Sequence, residues 1–323
     1  MVPRKVLSLH FLKPIVEFEQ RLHQLEKNFY SSFSSPFKKQ LNNLKDNLSQ
    51  LKQDVFKSLT PLQRLNLVRQ SDRPTTLNYV SAIMDEWFEL HGDRGGTDDP
   101  ALVVGLGRLN SKTVIFVGHQ RGKDTKDNVI RNFGMASPGG YRKALRIMKH
   151  ANKFNFPIFT FIDTPGAWAG IEAEKLGQGE AIAVNLKEMF SFQVPIICTV
   201  IGEGGSGGAL GIGVADKILM LEYAVYTVAT PEACAAILWK DSSKSLVAAE
   251  ALKITSNELK ILGIIDDVIE EPLGGAQADP YKAACALKIK LVLELNLLLQ
   301  ISGHQRKKMR YQKFRKIGTF YEI

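Results

Sequence analysis

The chain has 323 residues, 45% of them hydrophobic and 23% charged, and carries a formal net charge of +9. That is enough apolar sequence for one large buried core with a helical appendage, and no run approaches the apolar length that a membrane-spanning helix needs. The charge is uneven: residues 1–70 sum to +7, residues 302–323 to +6 and the 231 residues between them to −4, so the basic balance does not imply a nucleic-acid partner.

Met1–Lys13 is basic but lacks an apolar h-region, which argues against a secretory signal. Ile15, Phe18, Leu22, Leu25 and Phe29 step by 3 and 4 residues, as do Leu41, Leu44, Leu48, Leu51 and Val55 beyond the break Ser31-Ser32-Phe33-Ser34-Ser35-Pro36. Residues 1–60 are therefore expected to form a helical hairpin whose stripes pack on each other or on the main domain. Residues 61–301 carry that domain, with a helix predicted at Leu77–Leu90, strands at Val103–Leu109 and Thr113–Gly118, and a helix at Tyr141–Phe154. Further on come strands at Lys217–Leu221 and Val225–Val228 and helices at Pro231–Trp239, Ser256–Leu262 and Pro280–Ile301. Residues 302–323 form a basic tail; Arg306-Lys307-Lys308-Met309-Arg310 has no interleaved aromatics and reads as a solvated or subunit-facing end. Cys198, Cys234 and Cys285 are widely spaced in apolar segments and read as reduced core residues in a reducing compartment, with no metal site.

Chemistry is expected at Val200-Ile201-Gly202-Glu203-Gly204-Gly205-Ser206-Gly207-Gly208-Ala209-Leu210-Gly211-Ile212-Gly213, a glycine-dense turn that closes an apolar strand and opens a helix. Backbone N–H groups at such a turn approach a ligand oxygen unhindered and meet the positive end of the helix dipole. Three chemical readings fit. Gly202, Gly204 and Gly207 satisfy G-x-G-x-x-G, and Glu222 stands 20 residues after Gly202, as a dinucleotide-binding module would want, although the stretch before Lys217 is short for a crossover helix. Gly204-Gly205-Ser206-Gly207-Gly208 satisfies G-x-S-x-G, the turn that exposes a nucleophilic serine, yet the only histidine after Ser206 is His304 in the basic tail, leaving His119 or His150 to arrive from upstream. The third reading makes no side chain reactive and uses the turn as an oxyanion hole. Against all three stands a turn that needs glycine only to let a helix pack on a strand.

Internal repetition favours the third. Pro157-Ile158-Phe159-Thr160-Phe161-Ile162-Asp163-Thr164-Pro165-Gly166 aligns with Pro195-Ile196-Ile197-Cys198-Thr199-Val200-Ile201-Gly202-Glu203-Gly204 at a shift of 38 residues, with Pro, Ile and the closing Gly at equal offsets. Each unit is a buried strand, a glycine turn and a helix, Glu172–Phe192 in the first and Ser206–Val214 in the second, which is the pattern of stacked turns of a β-β-α superhelix. Asp163 at the first turn is a candidate acid, but beside Thr164-Pro165-Gly166 a turn-capping carboxylate fits better.

The runs His91-Gly92-Asp93-Arg94, Gly118-His119-Gln120, Arg131-Asn132-Phe133-Gly134-Met135, Pro138-Gly139-Gly140-Tyr141-Arg142-Lys143-Ala144, Phe161-Ile162-Asp163-Thr164-Pro165-Gly166-Ala167 and the glycine turn resemble the α subunit of the carboxyltransferase of multi-subunit acetyl-CoA carboxylase. The likeness runs from about Phe11 to Tyr311 and continues through Thr230-Pro231-Glu232-Ala233-Cys234 and Glu271-Pro272-Leu273-Gly274-Gly275-Ala276. With family-like sequence beginning so early, a transit peptide is not expected. The resemblance implies an α/β crotonase-like fold, a spiral of β-β-α units.

It also implies the reaction: carboxyl transfer from carboxybiotin, held on a biotin carboxyl carrier protein, to acetyl-CoA, giving malonyl-CoA for fatty acid synthesis. In the family the biotin ureido group itself takes the substrate proton, so the protein supplies oxyanion holes rather than a base. By resemblance the α subunit faces biotin, which assigns that hole to Gly204, Gly205, Gly207 and Gly208, with Gly166 and Ala167 lining the same pocket. Arg121, Lys123, Lys126 and Arg131 form a basic stretch that suits CoA phosphates or, equally, a solvated face. The implied partners are a zinc-containing β subunit in an α2β2 assembly, the carrier and a biotin carboxylase, with no metal in this chain. Lys, Asn, Ile and Phe usage points to a plastid-encoded gene and a stromal protein, with a cyanobacterial cytoplasm as the other setting.

Overall fold

The computed structural model describes residues 9–28 and 35–318. Eight strands make one mixed sheet: β1 (Glu86–Leu90), β2 (Leu102–Leu109), β3 (Lys112–His119), β4 (Ile158–Thr164), β5 (Ile196–Gly205), β6 (Lys217–Leu221), β7 (Val225–Thr227) and β8 (Asp267–Ile269). Their order is β1-β2-β3-β4-β5-β6-β8, with β7 paired to the last residues of β5. β1, β2 and β3 are antiparallel neighbours, and every strand pairing from β3 onward is parallel. β4 and β5 are buried at every position, which is why they read as unbroken apolar runs instead of alternating ones.

Helices α1 (Lys13–Asn28) and α2 (Ser35–Lys57) run antiparallel, joined by Lys45–Glu26 at 2.8 Å and Lys52–Glu19 at 2.5 Å. Ile15, Leu22 and Leu41 of the two stripes are buried, and Leu9, Leu12, Ile15, Phe56 and Leu59 cluster with Leu67 and Tyr223 of the sheet domain. Residues 31–34 of the predicted break, and Phe29, lie outside the described residues.

α3 (Pro61–Val68) opens on a Thr60–Gln63 capping box, and α4 (Thr76–Ile83) stops short of the helix predicted over Leu77–Leu90. Met84 turns extended and residues 86–90 become β1, because antiparallel pairing with β2 places Trp87 edge-to-face on Phe116 at 5.9 Å. α5 (Thr125–Ile130) and α6 (Pro138–Phe154) precede β4. The helix predicted over Glu172–Phe192 is two, α7 (Ile171–Lys175) and α8 (Gln178–Ser191), split at Gly177 with its φ of +79°. α9 (Ser206–Leu210) ends well before the expected Val214. α10 (Pro231–Trp239) has its expected bounds, α11 (Ser245–Ala251) was not foreseen, and α12 (Ser256–Ile261) and α13 (Pro280–Leu299) fall where their periodicity put them.

α14 (Gly303–Arg315) leaves Lys307, Lys308 and Met309 exposed but overturns the solvated reading of the tail at Arg306 and Arg310. Arg310 is 1% exposed and donates to the carbonyls of Met189 at 2.6 Å, Phe192 at 2.9 Å and Val194 at 3.1 Å, and to both oxygens of Asp216 at 2.9 and 2.7 Å. Arg306 donates to the Leu298 carbonyl at 2.7 Å, and Lys313 pairs with Asp266. α14 thus docks through these cations and through Tyr311 and Phe314, which meet the Phe190 ring edge-on at 6.4 and 5.1 Å. Cys198 is buried, but Cys234 and Cys285 are partly exposed, so only the first is a core residue. Among the described residues no cluster of His, Cys, Asp or Glu could hold a metal, and no helix is long and apolar enough to cross a membrane.

Candidate active site

β4 and β5 end in the two glycine turns. They stay in register to the pair Ile162–Val200, and the next pair is Thr164–Gly204, so β5 carries a bulge at Ile201, Gly202 and Glu203 opposite the single residue Asp163. Asp163 fills the bulge. Its Oδ1 accepts the Glu203 N–H at 3.0 Å, and a Cβ on Gly202 would stand 2.3 Å from that oxygen. It therefore caps the neighbouring strand rather than its own turn, and at 4% exposure it is not placed as a catalytic acid.

The bulge lays the second turn on the first. A Cβ on Gly205 would meet the Pro165 carbonyl oxygen at 2.0 Å, and one on Gly208 would meet Gly166 C at 2.4 Å and Ala167 N at 2.5 Å. Gly204 sits in the ladder between Thr164 and Tyr226. At Gly205 and Gly208 two backbones touch, whereas a Cβ on Gly204 would meet the Tyr226 ring at 2.8 Å. Gly207 is different: an added Cβ would find only Ile182 Cδ1 at 3.7 Å, and at Gly166 it would find nothing within 4 Å. The N–H groups of Gly207 and Gly208 lie in the first turn of α9 and have no acceptor among the described residues, nor does that of Ala167. The Gly166 N–H is spent on Thr164 Oγ1 at 3.1 Å. So the structure gathers all six predicted residues into one place but divides their work: Gly207, Gly208 and Ala167 offer unspent donors, Gly166 offers open space, and Gly204 and Gly205 hold the turns together.

Behind the turn lies a buried ionic ring that the sequence reading missed. Glu203 accepts from Arg69 at 3.0 and 2.7 Å and from Arg121 at 2.9 Å, and Arg121 Nε stands 3.0 Å from Asp163 Oδ1. Burial alone would raise the Glu203 carboxyl, but the two guanidiniums outweigh it and hold the group below its ordinary range. Asp163 goes the other way, raised by burial against the pull of Arg121. Alongside, Arg73 grips Glu271 at 2.9 and 2.8 Å and the Ile201 carbonyl at 2.9 Å. The signal was present: a glutamate inside an otherwise apolar strand needs a buried cation.

Arg121 is thereby committed to the chain's own carboxylates and is no free cation for a phosphate. Arg131 donates to Asp127 at 3.0 Å and the Pro100 carbonyl at 2.8 Å, while Lys123 and Lys126 are exposed. Glu222, the ribose candidate of the dinucleotide reading, is occupied instead: its carbonyl accepts from Arg64 at 2.7 Å and its Oε2 from the Glu271 N–H at 3.1 Å. Ser206 is exposed, adopts φ +48° and makes no hydrogen bond among the described residues, so no base activates it. His119 is fully buried beside the backbone of Gly208 and Phe161, without hydrogen bonds of ordinary geometry from its ring. Tyr141 Oη holds the Gly208 carbonyl at 3.1 Å, and Asn185 Nδ2 ties the Tyr141 and Gly211 carbonyls at 3.1 and 2.9 Å. Next to the first turn, Asn132, Phe133 and Gly134 take φ of 45°, 55° and 80° in succession, a strained run of the kind that clusters at functional sites.

The profile described as "Acetyl co-enzyme A carboxylase carboxyltransferase-like" matches residues 8–318. The chain is 71% identical to the acetyl-coenzyme A carboxylase carboxyl transferase subunit alpha of Gracilaria tenuistipitata var. liui, over 100% of this chain and 98% of that one. The chain belongs to this carboxyltransferase α-subunit family. The same subunit of Trichodesmium erythraeum is 61% identical over 99% of this chain and 98% of its own length. Among solved structures, the transcarboxylase 12S hexamer superposes with a TM-score of 0.54 at 22% identity, covering 68% of this chain and 42% of that one, which shows that the sheet and its crossovers share the crotonase-like fold. The serine-peptidase and nucleotide-module readings find no support in these relatives or in the geometry.

Proposed function

We propose that the chain is the α subunit that carries out carboxyl transfer from carboxybiotin to acetyl-CoA, forming malonyl-CoA. One observation carries the site assignment: two stacked glycine turns leave donors of Gly207, Gly208 and Ala167 unspent beside open space at Gly207 and Gly166. That cradle fits a ureido ring, since a Cβ at either glycine would fill it. Carboxybiotin supplies the carboxyl group and, on losing it, a negatively charged ureido oxygen. The N–H groups of Gly207 and Gly208 stabilise that charge, each such donor contributing roughly 3 kcal/mol in a dry site.

This chain offers one hole. A second, for the thioester oxygen, is assigned to a zinc-containing β subunit, with biotin delivered on a carrier protein charged by a biotin carboxylase. The exposed apolar side chains Val228, Ile237, Leu238 and Leu246, which follow the strand paired with the glycine turn, suit coverage by such a partner. Lys123 and Lys126 are the remaining candidates for CoA phosphates. The red-algal and cyanobacterial relatives fit a plastid stroma or a cyanobacterial cytoplasm. The test is reconstitution: malonyl-CoA should form only when this chain is combined with the β subunit and a biotin donor. Transfer by the isolated chain with acetyl-CoA and a biotin derivative would end the division of labour.

A further inference from the structure

Asp163, Glu203 and Arg121 close a ring around the bulge. The Glu203 N–H reaches Asp163 Oδ1 at 3.0 Å, Arg121 Nε stands 3.0 Å from the same oxygen, and Arg121 Nη2 returns to Glu203 Oε2 at 2.9 Å. The Glu203 and Asp163 side chains are 1% and 5% exposed and Arg121 is partly buried at 18%. The ring spans the point where β4 and β5 lose register, immediately before the residues whose backbones meet, Pro165 with Gly205 and Gly166 with Gly208. Inside the bulge Ile201 and Gly202 have no ladder partner and Glu203 pairs only with Val225 of β7, so backbone pairing alone leaves it freedom to slip. Here the Glu203 amide is held by one carboxylate and its side chain by two arginines, one of which forms an ion pair with that same carboxylate.

We propose that Asp163, Glu203 and Arg121 are positioning residues for carboxyl transfer: the ring sets the depth at which the Gly207 and Gly208 donors face the reacting oxygen. An oxyanion hole works only while its donors stand at hydrogen-bond distance from the developing charge, so a shift of a fraction of an ångström at the bulge acts on the chemical step rather than on acetyl-CoA binding. Arg69 buttresses the ring from outside, since its other nitrogen reaches Glu232 at the start of α10 at 3.2 Å. The inference rests on the proposed transferase reading of the same site.

The experiment uses the complete complex with the β subunit and biotinylated carrier, and reads kcat, KM for acetyl-CoA, subunit assembly and melting temperature. Asp163→Asn keeps an oxygen for the Glu203 N–H but removes the charge facing Arg121. Glu203→Gln leaves Arg121 short of a partner, and the pair Glu203→Gln with Arg121→Met removes both charges of that contact, leaving Arg69 its pair with Glu232 and Asp163 the nearby charge of Arg73. In the assembled double variant kcat should fall by about tenfold or more while KM for acetyl-CoA stays within about twofold, and Asp163→Asn should move the same way to a smaller extent. Wild-type kcat in the double variant, or a loss in Glu203→Gln that vanishes once the double variant recovers the wild-type melting temperature, overturns the positioning role and leaves a structural one. Failure of the transferase reading would show separately, as an inactive wild-type complex.

Discussion

Gly205 and Pro165 touch backbone to backbone: a Cβ on Gly205 would stand 2.0 Å from the Pro165 carbonyl oxygen. This contact is what stacks the second repeat's turn on the first, and it separates glycines needed for packing from glycines that face the ligand. Substituting the two kinds should produce different failures.

Gly205→Ala must push two backbones apart, and overpacking of this kind costs about 1–3 kcal/mol, so lowered melting temperature and impaired assembly are expected. Gly207→Val has room, since the nearest heavy atom to its Cβ would be Ile182 Cδ1 at 3.7 Å. It should fold and assemble but lose transfer by about a hundredfold to a thousandfold, the usual cost of removing an oxyanion donor. Differential scanning calorimetry beside steady-state malonyl-CoA formation distinguishes the two, and near wild-type turnover in assembled Gly207→Val would remove Gly207 from the hole.

Ser206 holds φ +48° with its hydroxyl unpartnered. If the turn acts through backbone N–H groups, Ser206→Ala costs about 1 kcal/mol, less than about tenfold in rate. Ser206→Gly should be equally active, because glycine adopts that conformation without strain. A nucleophilic serine predicts losses of several orders of magnitude instead. Steady-state rates of the two variants, with fluorophosphonate labelling of the wild type, decide between these outcomes.

What was legible in the sequence was local. The 38-residue repeat gave β4 and β5 because both are buried throughout and their glycines recur at equal offsets. Residues 86–90 misled, since Trp87, Phe88 and Leu90 continue a helical apolar count and only pairing with β2 makes them a strand. The structure brings Gly166, Ala167, Gly204, Gly205, Gly207 and Gly208 together, but how their contacts differ depends on a register shift between strands that no local pattern shows. Arg310 was misread for a similar reason: its carbonyl partners lie 116 to 121 residues away, and no pattern within the tail announces them. Arg121 looked like a free cation until Glu203 and Asp163 were placed beside it.

His119 should make the fold acid-sensitive. Burial pushes its pKa from 6.5 down to about 3, with the Arg121 charge adding to the push and the Gly208 and Phe161 backbone opposing it. The unfolded chain would take a proton near pH 6.5 while the folded chain stays neutral, so the contribution is complete above about pH 6.5 and is lost as pH falls toward about 3. Its slope in that window is at most about 1.4 kcal/mol per pH unit. His119→Gln removes the titration, and the stability difference between wild type and variant, read from urea unfolding at pH 7 and pH 5, should shift by about 2 kcal/mol against the wild type. A difference that stays constant would mean that His119 accepts its proton inside the fold.

Arg310 gives the sharpest test of the tail. Its guanidinium is buried against three carbonyls and Asp216, so Arg310→Ala takes this donor from the three carbonyls and leaves the buried Asp216 carboxylate with the Ile196 N–H but without its cation. Breaking a buried pair from one side costs about 3–5 kcal/mol, and what then holds α14 is the edge-on packing of Tyr311 and Phe314 on Phe190, the Arg306 hydrogen bonds and the Lys313–Asp266 pair. Lys307 and Lys308 lie exposed on the same helix and make no ion pair among the described residues, so Lys307→Ala and Lys308→Ala should each change stability by less than about 0.5 kcal/mol. Because only the first substitution removes a buried anchor of α14, it should also raise cleavage by trypsin near residue 303 under native conditions. Equal stability for Arg310→Ala and Lys308→Ala in denaturant unfolding, with equal resistance to trypsin, would show that the tail is held by something other than this arginine.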